Sequence, residues 1–269
     1  MISLQNISYA IQQKIIVNDI SIEIPEKKFI ALLGPNGAGK STLLQLIAGS
    51  LVPTKGKILL HNRPLSSFSI AELARHRAVL SQFSPIHVPI KVQELIALGR
   101  YVYAPMLVAA ADRLHVKKQM ERMQIAHLAN RYYHTLSGGE AQLVQLCRVV
   151  VQLDLDNLSD TPKFLLLDEP VSNLDVHYQH AVLQLAKSLV PSGVTIVAIL
   201  HDINLALEYA EEIHLIKGGG LLKTITPQNP LSAGDIKEVY EVEAELFRIG
   251  ESQQTWVRTS SLKKQSDGE

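Results

Sequence analysis

Three things are scarce in this sequence, and each scarcity excludes something. There is one cysteine, Cys147, so no internal disulfide can form, which fits a reducing cytosol. There is no basic surplus: 26 Lys and Arg stand against 26 Asp and Glu, whereas a nucleic-acid partner calls for a positive surface. No nucleic-acid partner is expected. Long apolar runs are also missing; the longest, residues 194–200, is strand-sized and well below the roughly 18 residues of a membrane helix. The start, Met1-Ile2-Ser3-Leu4-Gln5-Asn6, has neither the basic flank nor the apolar core of a secretory leader, so a cytoplasmic location is expected. No internal repeat is visible.

What is present is ordinary globular material, 46% hydrophobic and 19% charged over 269 residues, enough to bury an ample core. Residues 2–9 and 15–24 alternate as antiparallel strands do. Short apolar strands at 28–33, 78–82, 164–167 and 194–200 alternate with helical stretches at 41–48, 138–153 and 177–189, which predicts an α/β fold with a mainly parallel sheet. Residues 92–130 read as a helical lobe interrupted near Gly99 and Pro105. Gly218-Gly219-Gly220 predicts a hairpin turn between 213–217 and 221–225, and from Thr259 the tail is polar and is expected to be disordered.

One strand runs straight into Gly34-Pro35-Asn36-Gly37-Ala38-Gly39-Lys40-Ser41-Thr42, and a helix follows. The form G-x-x-x-x-G-K-[ST] in that setting is a phosphate cradle: glycines admit phosphate close to the backbone, and the helix start adds its positive end. Lys40 is placed to neutralise the β- and γ-phosphates, and the Ser41 hydroxyl to ligate Mg²⁺. The strand Phe164-Leu165-Leu166-Leu167 ends in Asp168-Glu169. There Asp168 is expected to hold the water shell of the same ion and Glu169 to activate the attacking water. Leu136-Ser137-Gly138-Gly139-Glu140 has two readings. Ser137 and Glu140 form a capping box, which leaves the two glycines unexplained, while close approach of a phosphate explains them.

The order of these motifs, together with Gln82, Ser172-Asn173-Leu174-Asp175 and His201, resembles the ATP-binding subunit of an ABC transporter over nearly the whole chain, to about residue 217. The resemblance implies a P-loop NTPase of ABC type: a mainly parallel central sheet, an antiparallel β subdomain and a helical subdomain over about residues 84–153. It implies one ATP-binding domain over residues 1–258 followed by the polar tail, 259–269. It also implies roles. Gln82 would sense Mg²⁺ and the γ-phosphate, His201 would hydrogen-bond the γ-phosphate, Tyr9 would stack on adenine, and Asp175 would lie in the loop facing a partner subunit. Two copies would bind head to tail, with Ser137, Gly138 and Gly139 of one reaching ATP on the other.

Within that superfamily the chain is most similar to the ATPases of bacterial haem importers, which are related to those for ferric siderophores and cobalamin. The stretches that carry this are Arg77-Ala78-Val79-Leu80-Ser81-Gln82, Val92-Gln93-Glu94 with Leu98-Gly99-Arg100, Arg131-Tyr132-Tyr133-His134-Thr135, and the lengthened link 151–163. The implied partners are a membrane permease dimer and, through it, a periplasmic haem-binding protein, with the ATPase peripheral on the cytoplasmic face of the inner membrane. A non-transport ABC ATPase, as in DNA repair or translation, fits less well. Only about fifty residues separate Gln82 from Ser137, with no sustained heptads, and the motifs occur in one set. Leu143 stands where the family carries an arginine, and is expected to weaken the anchoring of the helix after Ser137.

Overall fold

The structure, a computed structural model, describes residues 1–81, 88–103, 110–155, 162–249 and 254–261. In chain order the chain forms β1 (Ile2–Ile11), β2 (Lys14–Ile24), β3 (Phe29–Leu33), α1 (Lys40–Ile47), β4 (Lys55–Leu60), β5 (Arg63–Pro64), α2 (Ile70–His76) and β6 (Arg77–Leu80). Then come α3 (Val92–Ala97), α4 (Ala110–Arg122), α5 (Gly138–Gln152), β7 (Lys163–Leu167), α6 (Val176–Lys187), β8 (Val194–Ile199) and α7 (Ile203–Tyr209). The chain closes with β9 (Glu212–Lys217), β10 (Gly220–Ile225), α8 (Ala233–Tyr240), β11 (Val242–Ile249) and β12 (Gln254–Ser261).

Six strands make the central sheet in the order β10-β9-β3-β8-β7-β6. All pairs are parallel except the β9–β10 hairpin. A second, antiparallel sheet has the order β2-β1-β4-β5. The α/β expectation therefore holds, and the sequence pattern explains the layering. On β3, Phe29, Ala31 and Leu33 join one core while Ile30 and Leu32 join the other. Strand β7 divides the same way, Leu165 and Leu167 against Phe164 and Leu166. A strand apolar at every position is one that the period of two buries on both faces. The larger core lies under α3 to α8, and the smaller one between the sheet, α1 and the antiparallel sheet.

The helical lobe is anchored by ions rather than by apolar contact alone. Arg100, almost fully buried, bonds Asp112 Oδ1 on α4 at 2.8 Å, Asp154 Oδ1 beyond α5 at 3.0 Å and the Val151 carbonyl at 2.9 Å. Tyr103 covers the guanidinium, its ring centre 4.2 Å away. Arg100 thus ties α4 to the end of α5, which gives the Leu98-Gly99-Arg100 stretch a structural use. Removing Arg100 would take the shared cation from two buried carboxylates.

One expectation moves. The polar tail was placed from residue 259, but Thr259 to Ser261 complete β12 and pair with Ala244, Glu243 and Val242 of β11. The strand forms because Val257, opposite Leu246, has an apolar face to bury against. Residues 262–269 lie outside the described residues, as does Pro105. Cys147 is a buried apolar residue of α5, and burial pushes its thiol pKa up to about 12, so it is unreactive.

His214 supplies a stability test. It is 1% exposed on β9, with Nδ1 3.0 Å from Thr224 Oγ1 on β10, and burial lowers its pKa to about 4. Glu212 Oε1 at 3.5 Å from Nε2 is too distant to offset that cost. The folded protein therefore keeps His214 neutral while the unfolded chain protonates it near pH 6.5, so its contribution is complete above about pH 6.5 and is lost as pH falls from there toward 4. Between about pH 6.5 and pH 5 the loss should be roughly 2 kcal/mol. Thermal unfolding of His214→Leu should show a flatter pH dependence in that window; an unchanged slope would reject the assignment.

Candidate active site

The glycine loop leaves the carboxyl end of β3, Asp168-Glu169 that of β7, and His201 that of β8. Neighbouring parallel strands bring the three together, as open α/β sheets do for their ligands. Gly39 enters α1 at φ 94°, and a Cβ there would sit 2.6 Å from the Ile16 carbonyl. No side chain caps α1 and no acid occupies its first turn, so its first amides face the cleft with their partial positive charge.

The Lys40 ammonium sits inside the loop, donating to the carbonyls of Gly34 at 2.7 Å and Pro35 at 2.9 Å. Burial lowers its pKa, while Glu169 and Asp168 nearby favour its charge. The Ser41 hydroxyl donates to Asp168 Oδ1 at 3.0 Å. Burial raises the Asp168 pKa against that hydrogen bond, and the Glu169 charge raises it further. A hydroxyl and a desolvated carboxylate converging at one point are hard oxygen donors suited to a divalent cation.

Glu169 is held from both sides. Its Oε1 lies 2.8 Å from His201 Nε2, and its Oε2 accepts from Ser172 Oγ at 3.0 Å. Burial alone would raise its pKa, but the bonds from His201 and Ser172 and the His201 and Lys40 charges outweigh it and lower it. At neutral pH it is an ionised carboxylate held in one orientation. Its backbone φ of 51° is in the left-handed region, which costs a non-glycine residue on the order of 1 kcal/mol. That cost is maintained where the carboxylate must be aimed.

Lys40, Ser41 and Glu169 line a cleft of about 440 Å³ that runs from Asn36 to Thr42, with Lys14, Ile15 and Ile16 on its other wall and Gly218-Gly219 beside them; Asp168 and His201 stand behind Ser41 and Glu169. Glycine loop, acid pair and histidine, with an ionised carboxylate beside a buried ammonium, make an arrangement suited to binding and hydrolysing a nucleoside triphosphate. Residues 17–172 match the ABC transporter family. The chain belongs to that family. The hemin import ATP-binding protein HmuV of Escherichia coli O157:H7 is 41% identical over 89% of this chain and 92% of its own. The HmuV of Hahella chejuensis (strain KCTC 2396) is 37% identical over 87% and 90%. Among solved structures, the dimeric ATP-binding cassette MJ0796 in a post-hydrolysis state bound to ADP and Pi has a TM-score of 0.69 at 25% identity, over 84% of this chain and 98% of that one.

In this cassette several sequence-predicted residues stand elsewhere. Ser137, Gly138, Gly139 and Asp175 are not among the residues lining the cleft. Ser137 and Glu140 do form a capping box, Glu140 N–H to Ser137 Oγ at 3.3 Å and Ser137 N–H to Glu140 Oε2 at 2.8 Å. Asp175 caps α6 through the Tyr178 N–H at 3.0 Å. Phosphate approach was the reason offered for both glycines of the signature. For Gly139 there is a nearer cause: a Cβ would fall 2.2 Å from the Tyr178 ring, so the ring of α6 packs against the bare backbone. Gly138 has open space above it.

Tyr9, expected on adenine, packs with the smaller core and does not line the cleft. It is partly buried, two residues after buried Ile7, and the wall beside the loop carries Ile15 and Ile16. Gln82 lies outside the described residues. The missing arginine at Leu143 is met differently. Leu143 packs against the larger core, while Arg131, from before the signature, bonds Glu140 Oε1 at 2.9 Å and the Thr135 carbonyl at 2.7 Å. Sequence reasoning missed Arg131 as an anchor, and its place in Arg131-Tyr132-Tyr133-His134-Thr135 was the one available signal.

Proposed function

We propose that this cassette hydrolyses ATP as a head-to-tail dimer to energise haem import through a membrane permease, on the cytoplasmic face of the inner membrane. The observation that carries hydrolysis is the Glu169 carboxylate, held by His201 and Ser172 beside Lys40 and the loop. Haem as the solute is supported by the relatives named for hemin import, each matched over nearly its whole length.

In this mechanism the loop amides and Lys40 bind the β- and γ-phosphates. Ser41 and Asp168, with Gln82, would hold Mg²⁺, which supplies positive charge to the phosphate oxygens when bound. Glu169 takes a proton from the water that attacks the γ-phosphorus, and ADP leaves with the bridging oxygen. His201 keeps Glu169 in line and donates to the γ-phosphate. Ser137 and Gly138 of the second copy complete each site, so ATP joins the two chains and its hydrolysis releases them.

The permease contact is proposed beside Gln82, at residues 84–88 and the helical lobe. Val88 there is 63% exposed, and a groove of about 500 Å³ between α3 and α4 is lined by Gln93, Glu94, Ala97, Arg113 and Val116. No helix among the described residues is long and apolar enough to cross a membrane. Among the described residues the two histidines of α6 are engaged within the chain: His180 by Tyr209 Oη at 2.7 Å, and His177 edge-on against the Tyr178 ring.

The purified ATPase should therefore bind haem no better than a generic surface, and haem should stimulate hydrolysis only in a complex reconstituted with the permease and a periplasmic haem-binding protein. Stimulation by ferric siderophore or cobalamin but not by haem would overturn the solute and leave the ATPase standing.

A further inference from the structure

The segment after α8 lies outside the family match, yet a side chain of α7 bonds it, close in sequence to His201. Asn204, the second residue of α7, uses both ends of its side-chain amide on one backbone unit of β12: Nδ2 donates to the Val257 carbonyl at 3.1 Å, and Oδ1 accepts from the Val257 N–H at 2.8 Å. This is the pattern a neighbouring strand would make, so the amide serves as the missing partner of an edge strand. Val257 is 8% exposed and, with Val242, Ala244 and Leu246 of β11, packs into the larger core that also holds Leu205 and Ala206 of α7.

At its other end Asn204 is tied to Asp202, the residue next to His201. Its backbone N–H, and that of Leu205, donate to Asp202 Oδ1 at 2.7 and 3.1 Å, and Asp202 adjoins His201. His201 Nε2 lies 2.8 Å from Glu169. An unbroken series of contacts thus runs from the catalytic carboxylate through His201, the Asp202 cap and Asn204 to the C-terminal hairpin. We propose that the β11–β12 hairpin positions the catalytic histidine, with Asn204 as the positioning residue that couples the hairpin to α7 and so to His201 and Glu169.

The inference deepens the hydrolytic reading and rests on it. Asn204 touches no reacting atom, so its loss should misplace His201 without removing any phosphate contact, lowering kcat and sparing ATP affinity. The chain carries its own reporter: Trp256, the single tryptophan, is adjacent to Val257 and pairs with Phe247.

The experiment uses the full chain, with ATP hydrolysis followed by phosphate release and the hairpin followed by Trp256 emission. Asn204→Ala should lower kcat about tenfold with the KM for ATP within about twofold, a split that a merely loosened fold does not produce. Without nucleotide, acrylamide should quench Trp256 more readily in Asn204→Ala than in the unmodified protein. In Asn204→Asp a second carboxylate oxygen replaces the N–H that faces the Val257 carbonyl, so that bond is lost and kcat should fall with the KM for ATP held, as in Asn204→Ala. Quenching unchanged in Asn204→Ala would overturn the contact whatever the ATPase does, and kcat unchanged, or kcat and ATP affinity falling together in both variants, would overturn the positioning role. An unmodified protein without ATP turnover would refute the hydrolytic reading, and with it any effect on kcat, while the quenching result stands alone.

Discussion

Glu169→Gln should bind ATP as the unmodified protein does and lose turnover by about 10²- to 10⁴-fold, the range that positioned acid–base catalysis contributes. The amide keeps the size of the side chain, with its oxygen for His201 and its NH2 able to donate to the Ser172 hydroxyl oxygen, so the loop, Lys40 and Ser41 stay where they are. What disappears is the negative charge that takes the proton from water. Because hydrolysis is the proposed release step, the variant should accumulate as an ATP-bound dimer, visible as a doubled mass in gel filtration with light scattering. Turnover near that of the unmodified protein would remove Glu169 from the base role, and a monomer at saturating ATP would remove ATP from the interface.

The second large effect concerns a site split between two chains. Lys40→Ala takes away the buried ammonium that faces the phosphates and leaves two carboxylates beside the cleft with no cation between them, so nucleotide binding or hydrolysis should be abolished. Ser137→Arg should behave differently. Ser137 is exposed at the start of α5 and does not line the chain's own cleft, so ATP should still bind the single chain while the longer side chain blocks closure across the interface. Each variant alone should be inactive. Mixed in equal amounts, they should recover up to roughly a quarter of the unmodified activity: half the dimers are mixed, and each has one site with an intact loop facing an intact signature. No recovery, where mixed dimers are demonstrated, would reject the head-to-tail arrangement.

The active-site loop could be read from the chain because its constraints are local. A strand, a set of glycines, a lysine and a helix within fifteen or so residues permit little else. The acid pair was legible for a related reason, since four apolar residues ending in two acids mark the end of a buried strand. The layering of the central sheet was equally legible, because runs apolar at every position require cover on both faces.

Other features depended on residues far apart whose types are ordinary. Tyr9 is an ordinary strand tyrosine in the sequence, and only the fold sets it against the smaller core with Ile15 and Ile16 at the cleft. Leu143 read as a lost anchor until Arg131, twelve positions earlier, was found on Glu140. The tail after Thr259 looked like solvent-loving chain, yet its first residues pair with β11 because Val257 ahead of them is buried.

What the sequence by itself determined is thus the chemistry carried by contiguous segments: the phosphate cradle, the acid pair, the capped signature helix and the alternating α/β order, each set by steric and hydrogen-bonding rules that act over a few residues. What only the tertiary structure decided is which distant groups meet: His201 with Glu169, Tyr178 over Gly139, Arg131 on Glu140 and Asn204 against Val257. Such pairings follow from how helices and strands pack at ångström precision, and no single position along the chain records that geometry.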